Sequence, residues 1–291
     1  MQMVVQIVKS LRPKQWTKNL FIFAALVFSK NLFNLPLLIE TSLAFFIFCL
    51  LSGCVYIVND LADLESDKKH PLKSQRPLAS GKLKFSEAVG ALIILVPVSL
   101  GFSFYMGMPF FLTALGYLFL QLAYSFLLKH IIILDVLSVA CGFILRVVAG
   151  AMAIQVKISP WLLICTILLA LFLALSKRRH ELILLEEGAQ DHRKILKEYS
   201  PYLLDQMISV VTASTVMAYA LYTMSGETIK KFGTKNLIFT IPFVLYGIFR
   251  YLYLIHQKKA GGNPESILLT DKPLIIAIIL WIIAVALILY I

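Results

Sequence analysis

Charge is scarce in this chain, and acidic charge scarcest of all. Only 15% of the 291 residues are Asp, Glu, Lys or Arg, and the 16 acids face 27 bases, for a formal net charge of +11. Against 59% hydrophobic residues, so little charge excludes one or two ordinary soluble domains, which length alone would allow. Cysteine is rare too. Cys49, Cys54, Cys141 and Cys165 all fall within apolar runs and lack ligand spacing, so they read as small core residues rather than metal or redox groups. The apolar runs do not alternate with polar residues, which excludes the short strands of a membrane β-barrel.

What the chain has in abundance is long apolar runs, with a mean hydropathy of +0.84. Several approach or exceed the roughly 20 residues needed to cross a bilayer core. The fold class expected is therefore all-α: a polytopic membrane protein with about nine spans. They are placed near 19–36, 37–58, 86–106, 109–128, 131–154, 159–176, 203–225, 236–256 and 273–291. Lys30 and Asn31 interrupt the first. No separate signal peptide is expected; Lys9, Arg12, Lys14 and Lys18, around Pro13 and Trp16, read as an amphipathic surface segment leading into the first span.

With the N-terminus inside, the outer segments hold only Lys30, Lys157, Lys230, Lys231 and Lys235. Arg146 is left inside a span, and every other Lys and Arg falls on the inner side. That asymmetry predicts a cytoplasmic N-terminus in the cell inner (plasma) membrane. The excess positive charge reflects topology and anionic lipid, and no nucleic acid partner is implied. Acids also favour the inner side: Asp60, Asp63, Glu65 and Asp67 in one loop, Glu181, Glu186, Glu187, Asp191 and Glu198 in another. Two mixed-charge loops, near 59–85 and 177–200, read as two halves of one site within a single domain, 1–291.

The first loop, NDLADLESDKKHPLKSQRPLASGKLKF, carries the chemistry. If residues 59–67 continue the preceding helix, Asp60, Asp63 and Asp67 at i, i+3, i+7 share one face within roughly 60°. Three carboxylates on one face repel one another unless a cation lies between them, and oxygen-only ligands suit Mg²⁺. Asn59 is neutral support beside them. The bases that follow, Lys73 and Arg76 among them, suit the remaining charge of a diphosphate. A merely solvated loop is the alternative, disfavoured because the acids keep a helical period and the bases form a separate block.

Four further groups hold candidate substrate contacts. Lys14 and Lys18 stand at the mouth of the first span with Gln15 and Asn19. Arg146 lies deep in a span, a costly place for a charge, and reads as a phosphate ligand in a polar cavity, the alternative being a pairing with Asp135 or a backbone carbonyl. Asp135 is eleven residues away, about 16 Å along one helix, too far to pair with it. Lys177, Arg178 and Glu181 close the sixth span, where Lys177 and Glu181 at i, i+4 also fit a plain surface pair. Behind them come Asp191, His192, Arg193, Lys194 and Tyr199. Arg250 closes the eighth span ahead of the GGNPES loop, and serves equally as substrate contact or helix anchor.

NDxxDxxxD after a YIV run, in a chain of about nine spans, resembles the UbiA superfamily of intramembrane prenyltransferases. RPKQWTKN, HPxKxxRPLASG, GFxLRxxAG and SKRRHE are most similar to its decaprenyl-phosphate phosphoribosyltransferase branch, and the resemblance covers essentially the whole chain. It implies nine helices around a central cavity and a Mg²⁺-bound diphosphate at the aspartate motif. Most of the superfamily moves a prenyl group from a prenyl diphosphate to an aromatic or quinone-precursor acceptor, using a second aspartate-rich motif. Here the second loop is mostly basic, which favours the branch. The branch implies 5-phosphoribosyl transfer from phosphoribosyl pyrophosphate to a polyprenyl phosphate, releasing pyrophosphate and feeding cell wall biogenesis. A phosphate nucleophile is already ionised, so the lack of a Ser-His-Asp or Cys-His arrangement is no obstacle. Membrane lipid is an expected partner, and a homo-oligomer is left open.

Overall fold

The computed structural model describes residues 2–69, 73–186, 194–258, 267 and 270–290. Among them every regular element is helical. The chain forms two compact units, Met1–Ile158 and Ser159–Ile291. The first holds α1 (Gln2–Ser10), α2 (Phe23–Phe28), α3 (Leu35–Ala62), α4 (Leu64–Lys69), α5 (Phe85–Tyr105), α6 (Met108–Phe126) and α7 (Leu134–Ala153). The second holds α8 (Pro160–Glu186), α9 (Pro201–Met224), α10 (Gly226–Phe232), α11 (Ile241–Gln257) and α12 (Lys272–Tyr290).

Among the described residues, eight helices are long and apolar enough to cross a membrane. They match the second to ninth expected spans to within a few residues at most ends. Local chemistry fixes several starts. The Asn34 side chain caps α3 by accepting from the Leu37 N–H at 3.4 Å. Ser200 does the same for α9 through the Leu203 N–H at 3.1 Å, just ahead of Pro201. Phe33, Phe46, Ile93, Phe102, Phe119, Val210, Met217, Ile276 and Ile282 remain exposed, as lipid-facing side chains do.

The first expected span differs. Residues Pro13–Ile22 form a 3₁₀ helix, followed by only one and a half turns of α-helix in α2. Pro13 and the polar run Lys14, Gln15, Thr17, Lys18, Asn19 shorten the apolar stretch from one end, and the turn at Lys30 and Asn31 ends it at the other. The 3₁₀ geometry compensates in length. Ten residues at about 2.0 Å and six at about 1.5 Å rise roughly 29 Å, close to the ~30 Å of a hydrocarbon core.

This segment is seated in the core of the first unit. Ile22 and Leu26 pack among Phe48 and Leu51 of α3, Phe110 and Ala114 of α6, and Ala149 of α7. At Gly150 the contact is backbone on side-chain-free backbone: an added Cβ would lie 1.9 Å from the Ile22 carbonyl oxygen. Only glycine fits there.

Candidate active site

α3 ends at Ala62, and Asp63 leaves helical geometry at φ −99°, ψ 12° before α4 begins at Leu64. Backbone bonds still bridge the break, from Asp63 N–H to the Asn59 carbonyl at 2.9 Å and from Asp67 N–H to the Asp63 carbonyl at 2.8 Å. The bend separates the three carboxylates that a continuous helix would align. Asp60 and Asp67 are each 2% exposed and turn inward together, while the Asp63 side chain stays 39% exposed.

Each carboxylate has cationic partners. Arg76 Nη1 donates to Asp60 Oδ1 at 3.1 Å and also to Asp67 Oδ2. Arg12 Nη2 donates to Asp60 Oδ1 as well, with its guanidinium 4.8 Å from the Tyr56 ring centre. Lys73 Nζ stands 4.0 Å from Asp67 Oδ1, and Lys129 Nζ lies 2.8 Å from Asp63 Oδ1. The structure thus brings Asp60, Asp67, Lys73 and Arg76 together and adds Arg12. It gives Asp63 to Lys129 instead of to a three-carboxylate face. Among the described residues no three His, Cys, Asp or Glu side chains are grouped to hold a metal. His70 and Pro71 of the motif lie outside the described residues.

These pairs also set topology within the first unit. Arg12 precedes the 3₁₀ segment and meets the end of α3, so the chain between them runs out and back. Lys129 follows α6 and meets Asp63, so α5 and α6 make a second such excursion.

Deeper in the same unit, Arg146 is 5% exposed and fully engaged by protein. Its Nε donates to Asn19 Oδ1 at 2.7 Å, Nη1 to the Gly142 carbonyl at 2.8 Å and Nη2 to the Tyr117 hydroxyl at 2.9 Å. Asn19 passes the network on, donating to Ser52 Oγ at 3.1 Å. Arg146 thus sits in a knot joining the 3₁₀ segment, α3, α6 and α7. Lys14 is exposed and Lys18 half-buried on that 3₁₀ segment.

In the second unit, Arg178 is buried and donates from Nη1 to Glu181 Oε2 at 2.6 Å, at i, i+3. Lys177 beside it is exposed, and Tyr199 is buried. Arg250 forms a two-point pair with Asp271, Nε to Oδ1 at 3.1 Å and Nη2 to Oδ2 at 2.8 Å. Asp271 Oδ1 also accepts from the Leu274 N–H at 3.0 Å, so Arg250 braces the start of α12. Glu187, Asp191, His192, Arg193 and residues 259–266 lie outside the described residues.

Residues 19–270 match the UbiA prenyltransferase family. This chain belongs to that family. The UbiA match runs through both units. Over 98% of this chain and 86% of its own length, the decaprenyl-phosphate phosphoribosyltransferase of Corynebacterium glutamicum is 34% identical. That of Mycolicibacterium smegmatis is 33% identical over 96% of this chain and 91% of its own. A UbiA homologue from Archaeoglobus fulgidus, solved with GPP and Mg²⁺, superposes with a TM-score of 0.72 at 21% identity, covering 98% of this chain and 100% of that one. A digeranylgeranylglyceryl phosphate synthase superposes with a TM-score of 0.69 at 19% identity, covering 99% and 98%. The shared fold is that of UbiA, and the chain is a multi-pass membrane protein.

For a UbiA protein the question is whether the aspartates here suit a divalent cation. They do. Among the described residues Asp60 Oδ2 is buried with no hydrogen-bond partner, and the atoms Asp60 and Asp67 offer a cation are oxygens only. Two side chains at this site escaped sequence reasoning. Arg12 looked like a surface base, and its one signal was its place before Pro13 at the mouth of the first crossing. Lys129 was the sole base of its inner turn, LKH, and that isolation was its signal.

Proposed function

We propose that this UbiA protein transfers the 5-phosphoribosyl group from phosphoribosyl pyrophosphate to a polyprenyl phosphate, releasing pyrophosphate at the cytoplasmic face of the inner membrane. The observation that carries the reading is the 34% identity over 98% of the chain to a decaprenyl-phosphate phosphoribosyltransferase. The charge distribution supports it. Around Asp60 and Asp67 stand Arg12, Lys73 and Arg76, more cation than the acids need, which suits substrates that both bring phosphate.

Asp60 and Asp67, with Asp63 as a third candidate, would hold Mg²⁺, and Asn59 would be neutral support. Mg²⁺ would neutralise charge as it develops on the departing pyrophosphate. Arg76 and Lys73 bind the same diphosphate, and Lys14 and Lys18 are candidates for the ribose 5-phosphate. In the second unit Lys177 and Arg178 are candidates for the acceptor phosphate, with Glu181 orienting Arg178 and Tyr199 lining its side. Arg146 acts through Asn19, fixing the segment that bears Lys14 and Lys18.

The chemistry then needs little else. The bond from ribose carbon 1 to the pyrophosphate oxygen breaks through an oxocarbenium-like transition state, and an oxygen of the lipid phosphate forms the new bond. That oxygen is ionised at neutral pH, so no protein group has to remove a proton. Cations fixed around the leaving group before reaction supply the main stabilisation.

The test is a transfer assay with purified protein, Mg²⁺, polyprenyl phosphate and radiolabelled phosphoribosyl pyrophosphate. Label is expected in the organic phase, lost with EDTA and reduced roughly 100-fold or more in Asp60→Asn. An unlabelled lipid, with pyrophosphate released instead from a prenyl diphosphate and an aromatic acceptor, refutes the assignment.

A further inference from the structure

Asp60 is a buried carboxylate used on one side only. Its Oδ1 accepts from both Arg12 and Arg76, while its buried Oδ2 has no partner among the described residues. Arg76 spans the gap to Asp67, so two nearly inaccessible acids are covered by two arginines whose side chains are each 27% exposed. Charge within this group is already balanced, two acids against two guanidinium groups, and Lys73 at 4.0 Å tips it positive. A divalent cation arriving alone meets like charge. A diphosphate arriving alone finds both guanidinium groups engaged. Only the two together restore balance, the cation taking the carboxylates and the diphosphate taking the arginines.

Arg12 is built to make that exchange. Its backbone lies in the left-handed region at φ 52°, directly before Pro13, a conformation costly for a side chain of this kind and concentrated at functional positions. Its guanidinium lies over the Tyr56 ring, a face that holds a cation without fixing its direction. Arg12 can therefore turn from Asp60 toward an incoming anion without losing its second contact.

We propose that Arg12, with Arg76, is a latch on the diphosphate site. It holds Asp60 closed in the ligand-free protein and transfers to the diphosphate, so that divalent cation and diphosphate bind as a unit. This rests on the reading of the site as a diphosphate site, though not on the identity of the group the diphosphate leaves.

Equilibrium dialysis of the purified full chain with Mn²⁺ tests the latch, the protein-free chamber accounting for Mn²⁺ held by pyrophosphate in solution. Wild type is expected to bind Mn²⁺ at least about tenfold more tightly with pyrophosphate than without it. Arg12→Gln is expected to bind Mn²⁺ alone about tenfold more tightly than wild type, and to gain less from pyrophosphate. Arg12→Lys, which keeps the charge, falls between them. Unchanged or weaker Mn²⁺ binding in Arg12→Gln overturns the latch. If that variant does not fold, wild type that binds Mn²⁺ equally well with and without pyrophosphate overturns it too. Wild type that binds no Mn²⁺ even with pyrophosphate overturns both the latch and the diphosphate site. A normal latch with no phosphoribosyl transfer removes only the substrate assignment.

Discussion

Tyr117 meets Arg146 in two ways: its hydroxyl accepts from Nη2 at 2.9 Å, and its ring centre lies 4.8 Å from the guanidinium carbon. Tyr117→Phe removes the first and keeps the second. Hydrogen bonds inside membrane proteins average about 0.6 kcal/mol and reach about 1.7, and this buried, charge-assisted one belongs near the top. The variant should therefore lose about 1.5 kcal/mol in denaturant unfolding, while Phe143, the other ring near Arg146, stays as it is. Arg146→Met should cost more, since it orphans Asn19 and Tyr117 together. At this scale the sequence was legible for Asp60, Asp67, Lys73 and Arg76, whose spacing along one loop already ties them together. It was silent on Arg12 and Lys129 because their partners lie 48 and 66 residues away, and nothing local encodes which helix ends meet. Arg146 was legible as a buried charge in need of partners. Which partners it takes depends on two other elements, the 3₁₀ segment and α6.

Among the elements, the 3₁₀ segment Pro13–Ile22 is where local geometry departs most from the α-helical spans expected, and Gly150 is its seat. Gly150→Ala would drive a Cβ into the Ile22 carbonyl, a backbone atom that cannot swing aside. We expect it to destabilise the protein by about 3 kcal/mol, at the severe end of overpacking, in thermal unfolding of detergent-purified protein. Gly116→Ala, on α6 with open space around it, should change stability by less than about 1 kcal/mol in the same measurement. The break at Asp63 escaped the sequence for a related reason: a helical period in the acids says nothing about whether the helix persists through them. The start of α12 carries a pH prediction. The Arg250 guanidinium, by hydrogen bond first and charge second, holds the Asp271 carboxyl below its ordinary value. A depressed carboxyl stabilises the fold above the unfolded-state value and loses that contribution as pH falls through the native one. The stability gap between wild type and Asp271→Asn should thus be full at pH 7 and narrow below about pH 4. A gap that persists unchanged at pH 3 would show that the pair contributes nothing through ionisation.

For the whole molecule, the eight long helices were legible because runs this apolar have one stable solution in lipid. Sidedness is the part open to direct measurement. With the four native cysteines replaced, Lys84→Cys should resist an impermeant maleimide in intact cells and react after permeabilisation, whereas Lys157→Cys should react in intact cells. The reverse pattern would invert the proposed orientation. The Arg146–Asn19 bond carries a further consequence for how the chain is made. Its partners are 127 residues apart, and each is poorly suited to lipid without the other. At ~5–20 residues per second the ribosome delivers the second roughly 6–25 s after the first. Through that interval Asn19 has only Cys49 and Ser52 of α3 to bond, so the packing of the N-terminal crossing is complete only once α7 has arrived.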